Sequence, residues 1–156
     1  MYKKHILGID PGRTTGISLL DVDNGSNYTR CIVFNGVLEY SNELMNVLTT
    51  YKPVMVGVET PFINHRFPSS GLWLSKLMGV IELTLAMWDN SVYVYKFAPK
   101  YIKAYFGSGD YTKDDLGGII NKQNIKTHHE VDASAISLML YNLYKTNPLI
   151  LHRLPD

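Results

Sequence analysis

The chain has 156 residues, a hydrophobic share of 46% and a formal net charge of +1, which suits one domain with a core that needs no covalent staples and speaks against a purely electrostatic nucleic-acid binder. A single cysteine, Cys31, excludes an internal disulfide framework and points to a reducing compartment. No apolar run approaches the roughly 20 residues of a bilayer span, and Met1-Tyr2-Lys3-Lys4-His5 carries no signal-peptide pattern, so the expectation is a cytoplasmic protein with no membrane partner.

Three short strands are predicted first, His5 to Asp10, Gly16 to Val22 and Cys31 to Tyr40, with Gly12 and Asp23-Asn24-Gly25-Ser26-Asn27 supplying the turns. Such tight connections favour an antiparallel meander. Ser41 is placed to cap a helix through about Tyr51, with Leu44, Val47 and Leu48 on one face and Lys52-Pro53 as its stop. Val54 to Glu59 reads as a buried strand. Ser69 or Ser70 can cap a long helix that ends at Asp89-Asn90, with Leu72, Leu74, Leu77, Met78, Ile81 and Leu85 facing inward. Val92 to Phe97 is a further strand, and Pro99 suits the first turn of a helix through about Phe106. A short helix from Thr112 to about Lys122 is weakened by Gly117-Gly118, and a closing helix runs from about His129 to Lys145. The order of elements describes an α/β fold, a mixed sheet flanked by helices, in which a right-handed crossover sets strands one and four side by side.

The acids are spread across this frame. Asp10, in Gly8-Ile9-Asp10-Pro11-Gly12, and Glu59, in Val56-Gly57-Val58-Glu59, each end an apolar strand, and His129 and Asp132 share one face at the start of the last helix. An ionised carboxylate buried alone is expensive, so acids that converge on one sheet edge pair with bases or hold a cation. Several carboxylates at fixed positions suit Mg or Mn, and two such ions about 4 Å apart can activate a water and stabilise a leaving oxygen in phosphodiester hydrolysis. An imidazole ligand shifts the preference toward Mn. His129 also fits a first-turn cap or a surface residue, Glu130 reads as a solvated acid near the positive end of a helix dipole, and His5, His65, His128 and His152 read as surface or packing residues.

In their order and separations, Gly8 to Gly12 with Gly16, Val58-Glu59, and His129 to Ala133 resemble the three acidic motifs of the RuvC family of Holliday-junction resolving endonucleases. Ile102-Lys103 and Gly107-Ser108-Gly109-Asp110-Tyr111-Thr112-Lys113 resemble that family's basic segment in its GxGxxxK spacing. The resemblance runs from about Ile6 to Leu138. It implies a single RNase H-like nuclease domain over residues 1–156, with a mixed five-stranded sheet flanked by α-helices. It also implies a homodimer that makes paired, metal-dependent nicks at four-way DNA junctions. Asp10, Glu59 and Asp132 fall on the family's metal-holding catalytic acids, and His129 falls on the fourth ligand position, where many members have aspartate. The implied cofactor is Mg2+ or Mn2+, two ions per site. Lys103 and Lys113 fall on the catalytic lysines, which hold the scissile phosphate or offset developing charge. Phe62 matches an aromatic that stacks on bases of an opened junction, and Arg66 lies in the segment Asn64 to Gly71, where the family contacts DNA.

Two departures bear on this. Lys103 to Gly107 is one residue shorter than in bacterial members, and the Asn64 to Gly71 segment is this chain's own, so a cleavage-sequence preference does not carry over; because so compact and divergent a chain also suits a phage, the family's branch-migration helicase is not assumed as a partner. The chain suits a bacterial cell or a phage-infected host. Tyr93, Tyr95, Tyr101, Tyr105 and Tyr111 interleave with lysines as nucleic-acid contacts do, although Tyr93 and Tyr95, on one strand face, also suit half burial. Leu72, Trp73, Lys76, Leu77 and Val80 lie on the helix that members use to dimerise, and packing within one subunit explains them equally. Likewise Lys103 and Lys113 can be solvated lysines, and Phe62 a core residue. Three function classes compete: a junction-resolving endonuclease, with a broader branched-DNA or flap nuclease beside it; an actin-like ATP-binding domain, which needs a second related domain; and a non-catalytic junction binder, for which an acidic cluster would oppose DNA phosphates.

Overall fold

The computed structural model describes residues 4–61, 68–89, 92–110, 112–120 and 127–146. Strands β1 (His5–Asp10), β2 (Thr14–Asp21) and β3 (Asn27–Val33) form the antiparallel meander, and α1 (Val37–Tyr51) leads into β4 (Met55–Glu59). Then follow α2 (Pro68–Trp88), β5 (Tyr93–Phe97), α3 (Pro99–Tyr105), α4 (Lys113–Ile120) and α5 (His128–Thr146). Among the described residues the sheet has the order β3-β2-β1-β4-β5, with β4 parallel to both β1 and β5. This is the mixed five-stranded sheet expected, with strands one and four side by side.

The period-2 alternation of β1 divides the core. Leu7 and Ile9 face α1 and α2, where they meet Ile17, Leu44, Leu48, Val56, Val58, Leu77, Ile81 and Leu85. Ile6 faces α5, with Val22, Met55 and Leu140, and a neighbouring cluster joins Ile102 of α3 and Leu116 of α4 to Val131, Ala135, Ile136 and Met139 of α5. The sheet is therefore covered on both faces, which explains the near-continuous apolar reading of β1 and β4.

Several boundaries differ from the sequence expectation. β3 starts four residues earlier, because Asn27 to Val33 pairs along the whole of β2 from Leu20 back to Thr14. It also stops at Val33, and α1 begins at Val37, so Tyr40 lies in the helix and not in a strand. The reason is local. Glu39 in the first turn accepts the Asn35 backbone N–H at 2.8 Å and secures an orphan donor, and Tyr40 N–H already bonds Gly36 C=O at 3.0 Å. Ser41 caps nothing, since its hydroxyl lies 2.8 Å from Thr84 Oγ1 and ties α1 to α2. Pro68 opens α2 ahead of the two serines, and Leu72 is 62% exposed where an inward position was expected. From Gly71 to Trp88 this helix is long and apolar enough to cross a membrane by length and composition, unlike the sequence expectation. Its Leu77, Met78, Ile81 and Leu85 are instead buried in the core.

α5 lies unusually close to the sheet. A Cβ on Gly8 would run into the Ala133 carbonyl oxygen, one on Gly16 into the His129 carbonyl, and one on Gly57 into the side chains of Ile136 and Leu140. A polar seam fills the same interface: Ser18 Oγ lies 2.6 Å from Ser137 Oγ and 2.7 Å from Asn27 Oδ1, while Asn27 Nδ2 donates to Ser134 Oγ at 3.2 Å. Ser18, Ser134 and Ser137 are fully buried, and these bonds satisfy them.

Gly16→Ala is expected to destabilise the protein by about 1 to 3 kcal/mol through overpacking against backbone that cannot yield. Gly79→Ala on α2, where an added Cβ meets nothing within 4 Å, is expected to raise stability by up to about 1 kcal/mol. Urea unfolding of both variants beside the parent measures the contrast.

Candidate active site

Asp10 and Glu59 are neighbours because β1 and β4 run parallel with Ile9 opposite Val58. Each stands two residues beyond a glycine that faces α5, Gly8 and Gly57, so alternation turns both acids to the α5 side of the sheet. The Asp10 side chain is only 9% exposed, and Glu59 is half-buried. Thr60, the next residue, donates its backbone N–H to Phe97 C=O at 2.8 Å, which ties the end of β4 to the end of β5.

The first turn of α5 completes the edge. Thr127 Oγ1 accepts the Glu130 backbone N–H at 3.2 Å in N-cap fashion. Glu130, expected to be a solvated acid, is instead buried at 6% exposure and accepts the Thr29 hydroxyl at 3.1 Å. The cap at Thr127 and the close seat of α5 aim this carboxylate at β3. One residue earlier, His129 points the other way, and its Nδ1 lies 2.8 Å from Asp10 Oδ2. Asp132 is three residues further along and 6% exposed. The structure thus joins Asp10 and His129 directly and sets Glu59 and Asp132 on the elements beside them. Among the described residues no three His, Cys, Asp or Glu side chains are gathered tightly enough to hold an ion as they stand. The donor set itself, three carboxylates and one imidazole on the ends of two strands and a helix, has the chemistry that suits a hard divalent cation. Those four residues would hold it.

The basic residues sit on the helices that follow. Lys103 is half-buried in the last turn of α3, beside Ile102, which is buried with Leu116 of α4 and Val131 of α5. Lys113 is the first residue of α4. Phe62 and Arg66 lie outside the described residues. Tyr95, Phe97 and Tyr101 form a stacked series with centroids 6.2 and 5.9 Å apart, and Tyr101 and Tyr105 are exposed.

Sequence reasoning missed three residues at this edge. Arg13 follows the Asp10 turn, is exposed, and has no ion-pair partner among the described residues. It lines a cleft of about 360 Å³ with Phe34, Asn35, Gly36, Val37 and Trp73. Thr15 is fully buried; its Oγ1 donates to Gly12 C=O at 3.0 Å and accepts Gly12 N–H at 3.3 Å, closing the turn after Asp10. Tyr40 lies beneath. Only the position of Arg13 beside Asp10-Pro11-Gly12 was a usable signal, because Thr15 and Tyr40 meet through tertiary packing. A wider cleft of about 480 Å³, lined by Lys52, Pro53, Val54, Trp88, Asp89, Val92 and Tyr93, opens at the opposite end of β4 and β5, away from these acids.

Comparison with known proteins shows what the chain is similar to. The family model described as crossover junction endodeoxyribonuclease RuvC matches residues 6–140. The RuvC of Ehrlichia ruminantium (strain Welgevonden) is 34% identical over 157 residues, covering 90% of this chain and 96% of its own. The RuvC of Wolbachia sp. subsp. Brugia malayi is 29% identical over 152 residues, covering 85% and 91%. In fold the chain is similar to Thermus thermophilus RuvC in complex with a Holliday junction substrate, with a TM-score of 0.73 at 20% identity over 92% of this chain and 95% of that one.

The start of α4, and with it Lys113, depends on a reciprocal cap. Thr112 donates both its backbone N–H and its hydroxyl to Asp115 Oδ2 at 2.7 Å, while Asp115 N–H returns to Thr112 Oγ1 at 3.2 Å. The Thr112 hydroxyl, and then its backbone N–H, hold the Asp115 carboxyl below its ordinary value. A carboxyl lowered on folding stabilises the cap above its unfolded pKa, and that contribution is lost as pH falls through the folded one. Amide exchange along α4 is therefore expected to quicken from about pH 4 downward, and Asp115→Asn to flatten that response. Hydrogen exchange read by mass spectrometry, with α5 as the internal reference, measures both.

Proposed function

Since this chain belongs to the RuvC family of crossover junction endodeoxyribonucleases, we propose that it resolves four-way DNA junctions by divalent-metal-dependent phosphodiester hydrolysis at the edge that carries Asp10, Glu59, His129 and Asp132. The observation that carries this reading is the meeting of Asp10 with His129 across 119 residues of sequence, at 2.8 Å, on the sheet edge where β4 delivers Glu59.

When bound, Mg2+ or Mn2+, as two ions, would neutralise charge at the scissile phosphate and make a water acidic enough to attack it. The chain's own residues do the rest. Asp10, Glu59 and Asp132 would hold the cations from rigid elements, and the burial of the two aspartates would limit competing water. His129, now 2.8 Å from Asp10, would offer a ring nitrogen to the same site. Lys103 and Lys113, on α3 and α4, hold the phosphate oxygens and offset charge that develops in the transition state. Phe62 and Arg66 engage the opened strands, the first by stacking and the second at phosphate, and Arg13 adds a cation beside the Asp10 turn.

Residues 1–156 act as a single nuclease domain, and a homodimer supplies the two sites that paired nicks require. On α2, Leu72, Leu83 and Met87 are 62, 61 and 71% exposed, an apolar surface that supports contact with a second copy. The enzyme works where the DNA is, in the bacterial cytoplasm.

Labelled four-way junctions, flaps and linear duplexes incubated with Mg2+ or Mn2+ test this reading. Symmetric nicks on the four-way junction are expected, with flaps and duplexes spared, and Asp10→Asn is expected to lower cleavage by at least about 100-fold. Junction binding without cleavage under either metal would overturn it. His129→Asp is expected to move the preference from Mn2+ toward Mg2+, read as the ratio of initial rates in the two metals.

A further inference from the structure

Tyr40 is a fully buried side chain of α1, packed edge-on against Phe34 with ring centroids 4.6 Å apart. Its hydroxyl is enclosed as well, and it forms no hydrogen bond among the described residues. A buried hydroxyl without a partner carries a penalty comparable to a lost hydrogen bond, and phenylalanine would fill the same space without it. The polar groups around that oxygen indicate its use. Burial pushes the phenol well above its ordinary pKa, the Thr15 side chain pulls the other way, and the charge of Asp10 adds to the rise. The group therefore stays an O–H donor, on the face of the sheet that Thr15 also occupies. Thr15 Oγ1 already joins the backbone N–H and C=O of Gly12, two residues after Asp10, and keeps a lone pair to accept one more bond.

We propose that Tyr40 is a positioning residue for Asp10: its hydroxyl donates to Thr15 Oγ1 when the Asp10 carboxylate leaves His129 for a divalent cation, and so braces the Asp10-Pro11-Gly12 turn from beneath. In the present arrangement Asp10 Oδ2 faces His129 Nδ1, and the Tyr40 hydroxyl makes no hydrogen bond among the described residues. Hydrogen-bonded support behind a metal-holding carboxylate sets the ligand's orientation and basicity, and its loss typically weakens metal affinity by about 10- to 100-fold. The proposal rests on the reading of Asp10 as a metal-holding acid.

The test uses the full chain with Mn2+ alone as the probe, followed by calorimetry or electron paramagnetic resonance. Tyr40→Phe is expected to weaken Mn2+ binding by about tenfold and to leave the melting temperature of the metal-free protein equal or higher. Thr15→Val is expected to weaken binding too, and the double variant to lose no more than the larger single loss. Unchanged Mn2+ affinity in Tyr40→Phe, a lower metal-free melting temperature in that variant, or additive losses in the double variant would each overturn the proposal. Asp10→Asn, run in parallel, separates the two levels. If it binds Mn2+ like the parent, the metal reading of Asp10 itself fails; if it loses binding while Tyr40→Phe does not, only the role of Tyr40 falls.

Discussion

The close seat of α5 on β1, β2 and β4 is the constraint on which the rest of the structure depends. Backbone and side chains of the helix occupy the space where Cβ atoms of Gly8, Gly16 and Gly57 would stand. A helix held off by ordinary side chains would sit farther from the sheet, and the His129 ring would not reach Asp10. The buried serine seam fixes the helix along its length, because slippage would leave Ser18, Ser134 and Ser137 without partners in a region closed to water.

That seat has an electrostatic consequence. It brings the amino-terminal end of α5, the positive end of its dipole, to the edge where β1 and β4 present their acids. Glu130, drawn inward to Thr29, takes part in holding the helix and not in the site. Asp10 meets an imidazole that can accept or give up its place. The edge thus joins an imidazole to the hard oxygen donors that suit a divalent cation.

Much of this was legible in the amino-acid order. β1, β4 and the closing helix carry strong periodicities and clear stops, and the acids at their ends mark a shared edge as soon as a right-handed crossover is assumed. The stretch from Asn27 to Tyr40 misled, because β-branched and aromatic residues there suit a strand. The helix start depends on the Glu39 side chain reaching back to Asn35, an interaction with little signature in composition. Glu130 misled for a similar reason: an acid in a first turn is usually solvated, and only the proximity of Thr29 on a distant strand draws it inside.

By itself the sequence determined the order of the elements and of the acidic motifs, since these depend on residue type and local spacing, and its resemblance to the family marked four candidate ligands. Tertiary structure alone decided which of them touch. The enclosure of Tyr40 follows from the packing of α1 on the other face, and the pairing of Asp10 with His129 and the burial of Glu130 from how closely α5 approaches the sheet. That distance is set by many weak packing and hydrogen-bond terms acting between residues far apart in the chain.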